Sequence, residues 1–355
     1  MVALRIALAG AGNIADRYAA AIVAGEGLEL AGATDPLPGR AATLVAPYGA
    51  EAYPSLAALL ADDAVETVVN LTSPEAHFEV SAAALDAGKH VHSEKPLALT
   101  HAEARTLVER AQGGGVRLSC SPATLLGEAQ QTAWKLVREG AIGRVRAVYA
   151  EANWGRLERW HPDPRSLYAV GPLVDVGVYP LTIVTAMFGP ARRVQALSTT
   201  LEPERTLLDG TPFTPDAPDF VVAGIELADG VLARLTATFY VGPSKQRGLE
   251  LHGDLGSLHL PTWAEADSRI ERQERGGEYA TVPPVRKPFP GVDWGRPLVD
   301  LAQAVAEGRP HRSSGEQAAH VVEILDAVRD SLSQGGLAVA VHSDFPRPEP
   351  MEWAR

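Results

Sequence analysis

The sequence predicts an α/β protein in two parts: an N-terminal doubly wound parallel sheet, then an α+β domain with a large, mostly antiparallel, open-faced sheet. Three observations carry this. Short apolar runs alternate with helical stretches through residues 4–119, the pattern of parallel strands covered on both faces and joined by right-handed crossovers. Past residue 122 strand candidates follow one another with turn residues between them. The length, 355 residues, suits two domains at roughly 100–200 residues each. The boundaries read this way are 1–122, 123–345 and a tail at 346–355, which either wraps the surface or is partly disordered.

Taken in order, residues 4–9 form an apolar run that ends in glycines, and 13–24 read as a helix. A second apolar run, 28–34, ends at Asp35. Residues 40–48 and 55–61 are helical, the latter with Ser55 as N-cap. A buried-type strand at 65–71 leads to a helix at 75–87, closed by Gly88. After a strand at 90–93, Thr100 and Glu103 make a capping box for a helix at 100–112. The strand 116–119 completes the first part. A helix at 128–139, ending at Gly140, opens the second. Strand candidates follow at 145–154, 192–201, 219–227, 231–241, 248–252 and 257–260. Ala228-Asp229-Gly230 and residues 253–256 sit where hairpin turns belong. Late helices fall at 296–307 and 315–333. The Pro/Gly-rich stretches 203–218 and 276–297 read as long surface loops.

Composition narrows the function. The formal net charge of -12 repels phosphate backbones, so nucleic acid is excluded as a partner. The single cysteine, Cys120, forbids an intrachain disulfide and points to a reducing, cytoplasmic setting, with the thiol read as a small buried hydrophobe. The N-terminus lacks a signal peptide's basic start and cleavage site. No apolar run is read as reaching the roughly 20 residues of a membrane helix, so no membrane is expected as a partner.

Gly10-Ala11-Gly12-Asn13-Ile14-Ala15 fits G-x-G-x-x-A between a strand and a helix, the dinucleotide-binding turn of a Rossmann sheet. The first glycine permits the tight turn, the second a close approach to a pyrophosphate, and Ala15 close helix–strand packing. The helix N-terminus supplies free N–H groups. Asp35 ends the next strand, placed to accept from an adenosine ribose and to repel a 2′-phosphate. NAD(H) is therefore the preferred cofactor, while Arg40 leaves NADP(H) open.

The stretch Glu94-Lys95-Pro96 stands at the C-terminal end of a parallel strand, where such folds bind ligands. A lysine there, partly desolvated, has a lowered pKa. Asp175 and Tyr179 are four apart, which on a helix puts both on one face. Trp154, Arg156, Trp160, His161 and Tyr168 combine aromatic faces with hydrogen-bonding groups, as a sugar needs. His90 and His92 share one side of a strand without an obvious third ligand, so no metal is expected.

In these motifs the chain resembles the Gfo/Idh/MocA oxidoreductases. The carriers are the glycine loop, Thr72-Ser73-Pro74 with His77, Ala87-Gly88-Lys89-His90-Val91 leading to Glu94-Lys95-Pro96, and Gly171-Pro172-Leu173-Val174-Asp175-Val176-Gly177-Val178-Tyr179. Late echoes lie at 253–258 and at Glu307-Gly308-Arg309. The resemblance implies that Gly10, Gly12, Asn13, Ile14, Asp35, Arg40, Thr72, Ser73, Pro74, His77, Glu94 and Lys95 hold the cofactor. It makes Lys95, Asp175 and Tyr179 the catalytic set, which also binds substrate together with the 154–168 cluster. His77 is expected to line the nicotinamide end of the crevice rather than to ionise. Tyr179 stands where many members have a histidine; the resemblance gives tyrosine there to the branch around glucose–fructose oxidoreductase and dihydrodiol dehydrogenase. A free tyrosine titrates near 10, and a lysine cation beside it would lower that value. The implied activity is hydride transfer between a nicotinamide and a hydroxyl-bearing carbon of a sugar, inositol or sugar derivative, in a homodimer or homotetramer formed through the open sheet. Two alternatives stay open: a redox-neutral, NAD-dependent glycoside hydrolase or lyase, and a non-catalytic NAD-binding sensor.

Overall fold

The computed structural model describes residues 3–355, which divide into two compact units. The first comprises the chain up to Leu126 together with Asp293–Val322. The second comprises Gly127–Val292 and Glu323–Arg355. This departs from the linear boundaries expected above. The late segment returns to the first unit because its apolar residues complete that unit's core: Leu298 and Ala302 pack with Tyr18, Ile22 and Leu30, and Ala319 and Val322 with Leu107 and Leu118.

The first unit is a six-stranded parallel sheet. Its strands are β1 (Leu4–Ala9), β2 (Leu28–Thr34), β3 (Glu51–Ala52), β4 (Thr67–Asn70), β5 (His90–Ser93) and β6 (Leu118–Cys120). The order is β3-β2-β1-β4-β5-β6, so the strand sequence reverses between β1 and β4, which is where such sheets bind ligands. Helices α1 (Ala15–Ala24), α2 (Arg40–Val45), α3 (Leu56–Leu60), α4 (His77–Asp86) and α5 (His101–Gly114) join the strands. Ser55 caps α3 through Ala58 N, and the Thr100–Glu103 capping box is present on α5.

The second unit opens with α6 (Glu128–Arg138) and β7 (Val145–Asn153). A helical run follows, made of α7 (Arg165–Pro172), a π-helical turn (Leu173–Gly177) and α8 (Val178–Phe188). By length and composition this run could cross a membrane, which corrects the sequence reading. Here it is broken at Gly171 (φ 76°), and nine of the eleven residues of α8 are buried. A core helix passes the same compositional test.

Then come β8 (Ala191–Thr199), the ribbon β9 (Arg205–Thr206) and β10 (Pro212–Phe213), β11 (Phe220–Leu227), β12 (Leu232–Thr238), β13 (Gly248–Gly253), β14 (Gly256–Leu260), β15 (Ile270–Glu274) and β16 (Tyr279–Val282). Helices α9 (Arg296–Glu307), in the first unit, and α10 (Gly315–Ser333) precede β17 (Val339–Ala340). Nine strands form one sheet in the order β16-β15-β14-β13-β7-β12-β11-β8-β17. β7 and β12 run parallel, and its other pairs are antiparallel. Val148, Ala150, Ala223, Ile225, Ala233 and Leu235 alternate on the buried face, with Tyr149, Gln195 and Arg234 on the open one. The two expected loops each contain strands that pair locally: β9 with β10 inside the first, and β16, in the second, with β15 just before it. The tail wraps the surface: Met351 N donates to Gln131, and Lys135 and Arg138 donate to the carbonyls of Arg355 and Ala354.

Candidate active site

In the first unit the site is built on strand ends. Gly10 follows β1 at φ 105°, and its N–H donates to Thr34 O at 2.8 Å. A Cβ there would lie 2.8 Å from the backbone C and O of Leu71, after β4. A Cβ on Gly12 would meet no protein atom within 4 Å. Internal packing therefore does not require glycine at 12, whereas a ligand pressed against that backbone would. Gly12 and Asn13 are exposed and Ile14 half-buried. Ile14, at the N-cap of α1, makes no side-chain cap, and the Ala15 and Arg17 N–H groups donate to the carbonyls of Gly12 and Ile14, so it is the positive end of the helix dipole that favours an anion here.

Asp35 braces this loop: its oxygens accept from Ala11 N and Leu37 N, each at 2.8 Å. Each oxygen keeps a second lone pair for a ribose hydroxyl. Arg40 opens α2 and is exposed. Thr72 donates through N and Oγ1 to Asn70 Oδ1 (3.2 and 2.6 Å), while Ser73 and Pro74 carry the chain into α4. The residues present fit a dinucleotide.

His77 lies deeper than expected. It is 1% exposed, with Nδ1 2.7 Å from Pro96 O and Nε2 3.1 Å from Thr72 O. Its ring ties the loop after β4 to the loop after β5, a positioning role. Burial holds its pKa below the ordinary value.

Lys95 is half-buried, and its N–H donates to Glu94 Oε2. The other Glu94 oxygen accepts from Tyr18 Oη at 2.6 Å. Tyr18 also meets Ser121 Oγ, which meets His92 Nε2, and His92 Nδ1 meets Ser119 Oγ. This buried chain runs from α1 beneath Lys95 to β6. Burial, then the neighbouring His311, takes His92 down to about 3. His90 accepts from Arg117 N.

In the second unit Asp175 lies in the π-helical turn and Tyr179 in the first turn of α8, both half-buried. Trp263 stands 4.7 Å from Tyr179 (centroids, 38° between planes) and 6.0 Å from Trp154 (30°). Trp160 is 56% exposed, with His161 edge-on at 5.6 Å.

Arg156 and Tyr168 do not join that aromatic row. Arg156 pairs with Glu202 and lies over the Tyr240 ring. Tyr168 is 1% exposed and sits in a buried ionic cluster. Its hydroxyl donates to Glu158 and accepts from Arg205 Nη1 at 2.8 Å. Arg205 also binds Glu158 and Asp219. Burial, then Glu158, pushes the phenol well above its usual value. Tyr168 is thus a framework residue, which corrects its placement among substrate ligands: an aromatic in a Trp/His cluster does not announce that its hydroxyl is spent internally. Trp263, Tyr18, Arg205, Glu158 and Asp219 were missed. Apart from the Arg205–Glu202 pair, their partners lie at least ten residues away in sequence, and no local motif marks them.

Residues 4–121 match the family described as an oxidoreductase family with an NAD-binding Rossmann fold, and 130–259 match the GFO/IDH/MocA C-terminal domain. A levoglucosan dehydrogenase from Pseudarthrobacter phenanthrenivorans is 26% identical over 77% of this chain and 80% of its own. A dTDP-3,4-didehydro-2,6-dideoxy-alpha-D-glucose 3-reductase from Streptomyces violaceoruber is 29% identical over 93% and 95%. The structure of a levoglucosan dehydrogenase in complex with NADH and L-sorbose superposes with a TM-score of 0.82, at 23% identity, over 96% of this chain and 99% of that one.

Proposed function

Because this chain belongs to the GFO/IDH/MocA oxidoreductase family, we propose that it is an NAD(P)-dependent dehydrogenase or reductase acting on a hydroxyl-bearing carbon of a sugar, inositol or sugar derivative. The observation that carries the reading is the set of strand ends in the first unit: a glycine loop opening a helix without a side-chain cap, with Asp35, Thr72 and Lys95 on the other strand ends. The sugar-active relatives support the substrate class. NAD(H) is preferred, since the Asp35 carboxylate accepts from a ribose and repels a 2′-phosphate, and NADP(H) is the second choice. The nicotinamide, when bound, accepts or supplies the hydride.

The protein's own residues handle the proton and the positioning. Tyr179 takes the substrate hydroxyl's proton at its phenol oxygen during oxidation and returns it during reduction. The Lys95 cation binds the reacting hydroxyl. Asp175 accepts from a neighbouring hydroxyl. Glu94 and His77 hold the Lys95 loop through Lys95 N and Pro96 O. The open face of the nine-stranded sheet, with Leu197 and Leu232 exposed, suits self-association as a dimer or tetramer, and the single buried Cys120 suits a cytoplasmic setting.

The test is turnover, followed by reduced-nicotinamide absorbance with a sugar and inositol panel, beside direct NAD binding. Lys95→Ala and Tyr179→Phe should each lower turnover by about 10²–10⁴-fold, the usual contribution of acid–base help, with NAD affinity kept. Near-normal turnover in both variants sinks the assignment.

A further inference from the structure

We propose that Trp154 is the stacking platform for the ring of a cyclic sugar or cyclitol, and that Trp263, wedged between Trp154 and Tyr179, is the positioning residue that fixes the platform relative to the Tyr179 phenol. This rests on the sugar oxidoreductase reading and narrows its substrate to a ring rather than an open-chain polyol.

The three aromatics come from separate segments: the end of β7, the turn after β14 and the start of α8. They form one row, Trp154–Trp263–Tyr179, with the spacings of stacked or tilted pairs. Exposure differs along it, with the half-buried Tyr179 at the inner end. Trp154 is 46% exposed, whereas Trp263 is 5% exposed.

Trp263 is pinned on both sides. Its indole N–H donates to Glu151 O at 3.1 Å, and its own carbonyl accepts from Gln130 Nε2 at 3.2 Å. Gln130 is fully buried and donates to Glu265 O as well. Swinging the indole away would strand a buried donor and acceptor, at about 1–3 kcal/mol. Trp263 is therefore a rigid spacer, and both of its neighbours inherit its position.

A tryptophan placed only for core packing would be covered. Trp154 instead leaves nearly half of its surface to water at the end of a fixed stack. A flat, rigid, half-wet aromatic suits the apolar C–H face of a pyranose or cyclitol, whose rim hydroxyls remain free for polar partners such as Asp175. An open-chain polyol has the same hydroxyls but no rigid apolar face.

Tryptophan fluorescence titrations with levoglucosan, methyl glucoside, myo-inositol and D-glucitol test the platform without any turnover. Steady-state kinetics with saturating NAD test the spacer. A ring probe should perturb the emission saturably, and D-glucitol at least tenfold more weakly. Trp154→Leu should weaken ring binding about tenfold and raise KM more than it lowers kcat. Trp263→Leu should raise KM and lower kcat together, because Tyr179 loses its support, and Trp263→Phe should recover most of both. NAD affinity stays as in the wild type throughout.

The proposal is overturned if D-glucitol binds as well as the rings, if no ring probe binds, or if both Leu variants keep wild-type ring affinity. It is also overturned if Trp263→Phe is as impaired as Trp263→Leu while melting temperature and NAD affinity fall in parallel, since that is the signature of a packing residue. Ring binding with the expected variant pattern but no turnover upholds the platform and removes the oxidoreductase assignment. Turnover of rings and open chains alike does the reverse.

Discussion

In the first unit Gly10, Asp35, Thr72 and Lys95 each stand within two residues of a strand's C-terminal end. Their positions follow from strand order alone. In the second unit Tyr179, Trp154 and Trp263 meet only because a helix, a strand end and a turn converge, and the segment around Trp154 is held by an ionic cluster buried beside it. A site on strand ends is fixed by backbone register. A site of converging segments depends on side chains far apart in sequence, so single substitutions away from the chemistry should disturb the second more than the first.

Arg205→Met is the strongest way to break this contrast. The guanidinium, fully buried, binds Glu158 and Asp219 and lies 4.6 Å over the Tyr168 ring. Asp219 is itself fully buried and also accepts from Leu201 N and Glu202 N. Removing one partner leaves buried carboxylates uncompensated, at about 3–5 kcal/mol. The melting temperature should fall and sugar binding should weaken, while NAD affinity of the folded protein stays near wild type. Equal losses of NAD and sugar affinity would show that the two sites are not independently held.

Gly10→Ala probes the other side. The added methyl meets Leu71 at 2.8 Å, and φ 105° is strained for any residue with a Cβ. The loop must shift, and cofactor binding should weaken by about 3 kcal/mol, roughly a hundredfold. Sugar-induced fluorescence changes without cofactor should persist. An Ala variant with wild-type NAD affinity, measured by calorimetry, would mean that the loop does not carry the dinucleotide.

The same contrast explains what the sequence disclosed. The glycine loop, Asp35, the Thr100 capping box and the strand ends were legible because each is a local pattern, set within a few residues of itself. The alternating strands of the second unit were legible too, but their pairing order was not: β7 joins β12 and β13, roughly 80–110 residues later. Trp263 sits in a polar turn with nothing nearby to mark it. Arg205 lies in a stretch that reads as a Pro/Gly-rich loop, and the buried carboxylates that neutralise it come from 47 residues upstream and 14 downstream. The return of residues 293–322 to the first unit was hidden for the same reason.

The smallest effect concerns acid. Burial lowers the pKa of four histidines in the first unit, His77, His90, His92 and His311. His92 is the extreme case, at about 3, enclosed by Ser119, Ser121 and Tyr18, with His311 adding charge repulsion. In the unfolded chain a histidine titrates near 6.5. Below that pH the unfolded state binds a proton that folded His92 refuses, so stability is present above about 6.5 and is lost as pH falls toward 3. At pH 5 the loss from this one group should be about 2 kcal/mol relative to pH 7, at 1.36 kcal/mol per pH unit. Denaturant unfolding at pH 7 and pH 5 would measure it, with His92→Asn as the comparison. The variant should be less stable at pH 7 and lose about 2 kcal/mol less on acidification. If both proteins show the same pH slope, His92 is not the group that resists protonation, and the acid sensitivity of the cofactor unit lies with the other three.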